Sequence, residues 1–342
     1  MTVLKRYISL FIILTVCFGL SGCESSIDRE KDKNEYKLTI MTTLFPYYDF
    51  ARAVVGEDSD IYVELLVSPG QDDHSFEPTP ADVIEINNAD VFIYNGGSIE
   101  NWVEEVVHSL DNQSQVRMKM MDYIDLENQS DIMTSVDDEQ SHDENVYAES
   151  EHHHEVERHG YAGYEHDEVD EHIWTSPVYA ITLVQEICDR LCEILPEKSE
   201  EFQRNTYRYI KRIKGVDEQI QTIVEGAEHK EIIFADKFPL IYFAQRYGLK
   251  YYAAFPGCSG DTEPSAKTVA FLIDKVKSHE VNGVFYLELS SQAMADVICD
   301  DTEVKKYQFN SCHNITQKQF DNGVTYIDLM RENVQALNAV LK

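Results

Sequence analysis

Positive charge is scarce in this chain. Over 342 residues, 29 lysines and arginines stand against 62 aspartates and glutamates, a formal charge of −33. That balance argues against a nucleic-acid partner, which needs basic residues to displace the counterions of a polyphosphate. It also argues against binding to anionic lipid through a basic patch. Long apolar runs are equally rare. The stretch 8–20 is apolar but only 13 residues long, whereas a helix needs about 20 to cross a bilayer. No His-Glu-x-x-His pattern occurs, and with it goes the simplest helix-borne zinc peptidase site. A hydrolase would still need an open coordination position and a placed base. Glu77 is the one candidate base near the histidine loop described below.

Histidine and acid are present in excess, and in one place. The stretch 137–172 holds seven of the twelve histidines: His142, His152, His153, His154, His159, His166 and His172. Fourteen acidic residues surround them, with Arg158 the single base. Apolar residues there are too sparse for a core face, so 137–169 reads as a solvated loop. It could be an acidic linker in which histidine is incidental. Neutral imidazole is a common zinc ligand, however, and dense carboxylate concentrates divalent cations. The composition favours handling of a transition metal, zinc first.

The amino terminus predicts an exported protein. Lys5 and Arg6 precede the short apolar run, which ends in Leu20-Ser21-Gly22-Cys23. That ending resembles a bacterial lipobox, in which cleavage leaves a cysteine that carries lipid. The expectation is a signal peptide over 1–22, lipidation at Cys23 and a polar tether over 23–36. An ordinary secretory signal with a chance cysteine is the alternative.

The rest of the chain alternates between strand and helix patterns. Strands are expected at 37–45, 61–67, 91–96, 231–236, 249–255, 281–288 and 323–329. Helices are expected at 47–55, 79–88, 99–110, 177–195, 238–247, 265–279, 292–297 and 330–341. One pattern, 197–226, is unusually long, with Phe202, Tyr209, Ile213, Val216, Ile220 and Val224 on its apolar side. At about 1.5 Å per residue it spans roughly 45 Å, enough to pass between two lobes. The predicted fold is α/β: two Rossmann-like lobes, 37–196 and 227–342, each a parallel-rich sheet flanked by helices, joined by that helix. Ligands in such sheets sit beyond the carboxyl ends of the strands.

Two stretches carry a family resemblance. The loop 68–80, Ser-Pro-Gly-Gln-Asp-Asp-His-Ser-Phe-Glu-Pro-Thr-Pro, places His74 ahead of Phe-Glu-Pro-Thr-Pro. The stretch 170–177, Asp-Glu-His-Ile-Trp-Thr-Ser-Pro, places His172 just after the acidic loop. Together they resemble the two histidine motifs of solute-binding lipoproteins of zinc and manganese ABC importers, the cluster A-I type, over essentially the whole mature chain. A His-rich acidic insertion before the second motif is similar to the zinc-binding branch. Glu171 stands where those proteins commonly have proline.

The resemblance implies ligands at His74 and His172 and leaves two positions altered. A histidine or glutamate is expected shortly before the Tyr247-Gly248-Leu249 sequence, but 234–249 contains neither, and Lys237 occupies the place. Asp236 beside it is expected either to bind metal or to cap the helix ahead of Phe238. In the stretch 309–316, Phe-Asn-Ser-Cys-His-Asn-Ile-Thr, His313 falls where the family has an acidic residue or a loop near the cleft. His74, His172, His313 and Asp236 would suit tetrahedral zinc; manganese prefers more oxygen. His108, His229 and His279 read as surface residues.

Cysteine use agrees with an external protein. Cys258 and Cys312 lie in loops beside the expected site, and a disulfide between them would pin the His313 loop. Cys188 and Cys192 are one helical turn apart and read as small apolar side chains. The resemblance implies an extracytoplasmic, lipid-anchored and monomeric zinc-binding component with no enzyme activity. It would capture Zn²⁺ between the lobes and deliver it to an ABC permease with its ATPase. A manganese or iron binder, a surface adhesin or metal-sequestering protein, and a zinc hydrolase are the alternatives.

Overall fold

The computed structural model describes residues 36–57, 60–125, 170–255, 265–278 and 281–342. It begins with β1 (Leu38–Thr42), buried at four of its five positions, as a parallel strand covered on both faces must be. Helix α1 (Phe45–Val55) follows, with Pro46 in its first turn, where the missing N–H has no intrahelical partner to lose. It ends at Gly56, whose φ of +75° favours glycine. A Cβ there would meet the Asn205 amide at 2.5 Å. That amide donates to the terminal carbonyls of Val54 and Val55 at 3.1 and 3.3 Å.

β2 (Ile61–Leu65), α2 (Pro80–Asn88), β3 (Val91–Tyr94), α3 (Asn101–Ser109) and β4 (Val116–Lys119) complete the first lobe. Its sheet runs β2-β1-β3-β4 with every pairing parallel. The second lobe repeats the plan with β5 (Glu231–Phe234), α6 (Ile241–Tyr247), β6 (Lys250–Ala253), α7 (Ala266–Ser278), β7 (Gly283–Leu287), α8 (Ala293–Thr302) and β8 (Lys305–Phe309). Its order is β6-β5-β7-β8, again all parallel. In each sheet the connections reverse direction across the central pair, and in sheets of this topology ligands sit beyond the carboxyl ends of those strands.

Between the sheets run α4 (Pro177–Ile194) and the 27-residue α5 (Ser199–Glu225). Along α5 the buried residues Phe202, Thr206, Tyr209, Ile213, Val216, Ile220 and Ile223 recur at alternating steps of four and three, so they form one stripe along the helix. The stripe packs on α1, α4 and the carboxy-terminal helix α10 (Tyr326–Leu341). One apolar cluster therefore runs from Leu38 to Leu341 through both lobes. A smaller cluster fills the far side of each sheet.

Four elements differ from the sequence expectation. The stretch 323–329, read as a strand, is a turn over 323–325 and then the first residues of α10, with the short, unexpected α9 (Gln317–Asp321) before it. Its run of β-branched and aromatic residues is overruled by a capping box. Thr325 Oγ1 accepts from the Asp328 N–H at 3.2 Å, and the Asp328 carboxylate accepts from the Thr325 N–H at 3.2 Å. Strands β4 and β8 went unread because they are edge strands rich in lysine and arginine, as Val-Arg-Met-Lys and Lys-Lys-Tyr-Gln-Phe show.

Candidate metal centre

Three loops at the carboxyl ends of strands bring three histidines together. The first leaves β2. Its start continues the sheet, with Leu66 N–H donating to Thr42 O at 2.8 Å. Its end is fixed by Phe76, buried with its ring 5.5 Å from that of Trp102, and by the Thr79 capping box of α2. Between these anchors the chain turns tightly, Phe76 N–H donating to Asp73 O at 3.2 Å, and His74 sits on the turn.

His172 is held more rigidly. Glu171, in the place of the expected proline, puts its carboxylate on the amides of Ser98 and Ile99, the latter at 2.6 Å. Its own carbonyl accepts from the Asn95 side chain at 3.1 Å. The next residue is thereby fixed from behind. Asp170 Oδ1 then takes both the backbone N–H of His172, at 2.9 Å, and its ring Nδ1, at 3.1 Å. Asp170 on Nδ1 would assign Nε2 to a metal, the carboxylate–imidazole arrangement usual behind such ligands.

His313 follows β8. Glu288, at the end of β7, accepts from the N–H and hydroxyl of Ser311 at 2.7 and 2.5 Å. Trp174, fully buried, donates from its indole to Ser311 O at 3.0 Å and lies 5.1 Å from the His313 ring. The His313 Nε2 rests against the Asp73 carboxylate. The three imidazole centroids form a triangle of 5.4, 5.4 and 6.0 Å. One ligand atom from each lies within 4.8 Å of the other two. Tetrahedral zinc with nitrogens at about 2.0–2.1 Å needs them roughly 3.3 Å apart, a modest closing of this set.

Burial and charge divide the roles of these groups. His74 is pushed down to about 4, first by desolvation and then by the neighbouring His313, so it is a neutral imidazole at physiological pH. Burial works to lower His313, but the Asp73 carboxylate raises it on balance. Burial works to raise Asp73 and Asp170, yet the facing histidines hold both below the usual carboxylate range. Glu288 is raised by burial. The pocket thus offers imidazole nitrogens backed by carboxylates, a donor set for a divalent cation.

Asp236 is a correction to the sequence expectation, because it stands outside this cluster. Its carboxylate is spent on the N–H groups of Lys237 and Leu287, at 2.8 and 3.0 Å, and on the Ser290 hydroxyl. It therefore ties the end of β5 to the turn after β7, and it caps no helix, since α6 starts only at Ile241. Cys312 is a free, wholly buried thiol, and its expected partner Cys258 lies outside the described residues. Cys188 and Cys192 are also free, their sulfurs 4.0 Å apart on α4. His142, His152, His153, His154, His159, His166, His279 and the Cys23 anchor likewise lie outside the described residues. His108 and His229 are exposed and away from the cluster. Sequence reasoning missed Asp73 and Glu288. Asp73 was visible only as an acid beside His74, and Glu288 as the acid closing the strand at 281–288.

The chain is similar to known proteins of zinc uptake. Residues 40–340 match the family described as zinc-uptake complex component A, periplasmic. The chain is 30% identical over 334 residues to the high-affinity zinc uptake system protein ZnuA of Bacillus subtilis, covering 97% of each. It is 31% identical over 332 residues to the zinc-binding lipoprotein AdcA of Streptococcus pneumoniae, where 97% of this chain spans only 60% of the relative's length. The crystal structure of the Zn(II)-bound ZnuA-like domain of AdcA superposes with a TM-score of 0.68 at 29% identity, over 89% of this chain and 99% of that one.

Proposed function

Because this chain belongs to the zinc-uptake complex component A (ZnuA) family, we propose that it captures Zn²⁺ outside the cytoplasm for an ABC importer. The ion would be delivered to the permease, with the ATPase driving import. Zinc is the cargo, held by His74, His172 and His313, with water completing the shell. The observation that carries this reading is the meeting of three imidazoles from both lobes within 4.8 Å. Nitrogen-rich, carboxylate-backed coordination favours zinc over manganese, which takes harder oxygen ligands. The lobes 37–196 and 227–342 act as jaws, and the 197–226 helix joins them. Cys23 carries the lipid that keeps the monomer at the membrane. His142, His152, His153, His154, His159 and His166 give weak auxiliary binding that raises the local zinc concentration.

Competition against a chromophoric chelator tests the reading. One tight zinc per chain is expected, with manganese bound far more weakly. Failure to take zinc from the chelator, or preference for manganese, would overturn it.

A further inference from the structure

We propose that Asp73 is the positioning residue for His313, turning that imidazole so that Nδ1, not Nε2, is the metal-binding nitrogen. This rests on the zinc-capture reading and deepens it. The argument starts from the contact between the Asp73 carboxylate and His313 Nε2. Both residues are largely buried, with side chains 6% and 12% exposed. Neither contacting atom has any other hydrogen-bond partner among the described residues. The pair is therefore exclusive. A buried ring N–H without an acceptor is destabilising, so the proton belongs on Nε2, and Nδ1 carries the lone pair.

The neighbouring histidine shows the same device in mirror form. Asp170 engages Nδ1 of His172 at 3.1 Å, which would assign Nε2 to the metal. Each carboxylate fixes the tautomer of its histidine through one nitrogen and so selects the other as ligand. Asp73 is not itself among the side chains whose ligand atoms meet within 4.8 Å, so it is no member of that ligand set. The carboxylate comes from the first lobe and the imidazole from the second. The His313 ring is thus set in its ligating orientation only where the two lobes meet.

Histidine-selective ¹⁵N labelling of the zinc-loaded full chain tests this, with the His313 signals assigned by their loss in His313→Gln. Long-range ¹H–¹⁵N spectra should show zinc on Nδ1 and a proton on Nε2 of His313, with the reverse for His172. Chelator competition should find Asp73→Ala about 10–100-fold weaker for zinc, the usual effect of losing such a partner. Asp73→Asn, whose amide oxygen can still accept from Nε2–H, should recover most of that loss. Zinc on Nε2 of His313, or wild-type affinity in Asp73→Ala, would overturn the assignment. Absence of zinc binding by the wild-type chain would overturn the capture reading itself.

Discussion

Replacing His74, His172 or His313 with alanine removes one metal–nitrogen bond. Each change should weaken zinc binding at least about tenfold, since even an outer partner of a ligand is worth that much. Asp236→Ala should leave zinc affinity unchanged and act on stability, because the N–H groups of Leu287 and Lys237 lose their acceptor, while the Ser290 hydroxyl keeps Leu287 O at 2.9 Å. Unpaired donors of that kind cost about 1–3 kcal/mol. Chelator competition and urea unfolding on the four variants separate the two effects, and weakened zinc binding in Asp236→Ala would return that carboxylate to the shell. The pattern also shows what was legible at this scale. His74 and His172 could be read from the residues around them, and His313 from its position in the chain. The direction in which Asp236 turns could not be read, because a strand-end carboxylate serves a cleft or a neighbouring strand equally well. Asp73 was opaque for a related reason: its partner lies on the other lobe.

Glu100 makes a second prediction at the same scale. It is 3% exposed, accepts from Gly96 N–H at 2.9 Å, and is pushed up to about 7 by burial, with the charge of Asp73 adding to the effect. Below pH 4.5 it is protonated both folded and unfolded. Between 4.5 and about 7 the unfolded chain ionises while the folded one resists, so its contribution to stability falls as pH rises. Glu100→Gln abolishes that fall. In urea unfolding of the zinc-free protein, the wild-type stability minus that of the variant should drop by about 2–3 kcal/mol from pH 5 to pH 7, at about 1.4 kcal/mol per pH unit. A difference independent of pH would refute the assignment.

At the scale of elements, local signals decided what hydrophobic pattern alone did not. Helix α10 begins where a strand was expected because Thr325 and Asp328 cap each other. Its first residue is also tied to α1, with Tyr326 N–H donating to Asp49 Oδ2 at 2.9 Å. Thr325→Ala should therefore cost about 1 kcal/mol of stability, the usual worth of an amino-terminal cap. It should leave zinc affinity alone, since α10 contributes no ligand. Thr325→Ser should restore most of the loss, and an alanine variant as stable as wild type would show that packing on α5 alone sets the helix start. The strands β1, β3, β5 and β7 were legible because buried parallel strands read as continuous apolar runs. The edge strands β4 and β8 were not, because Arg117, Lys119, Lys305 and Lys306 break up their apolar pattern.

For the whole molecule, the question is whether the acidic histidine loop or the cleft holds the ion. Among the described residues, three imidazoles meet in the cleft. His74 and His172 come from the first lobe and His313 from the second, and hydrogen bonds already join the lobes around them. Tyr242 donates to Asp170 O at 2.6 Å, Trp174 to Ser311 O at 3.0 Å, and Asn314 both accepts from Gly70 N–H at 3.2 Å and donates to Gln71 O at 2.5 Å. A ligand held by both lobes stabilises the folded chain by mass action, about 2.7 kcal/mol at a free concentration one hundred times Kd. Deleting 137–169 leaves 126–136 to connect Asp125 with Asp170, and eleven residues reach about 35 Å when extended. Loop-closure entropy changes only slowly with length, so the fold should tolerate the shorter connection. The deletion variant is expected to keep one tight zinc, to lose the weaker ones, and to melt at a higher temperature with zinc than without, as the full chain does. Calorimetric titration alongside thermal unfolding decides the matter. If the tight event and the thermal shift both disappear, the primary ligands lie in the loop, and the three converging imidazoles would be only a port through which the ion passes.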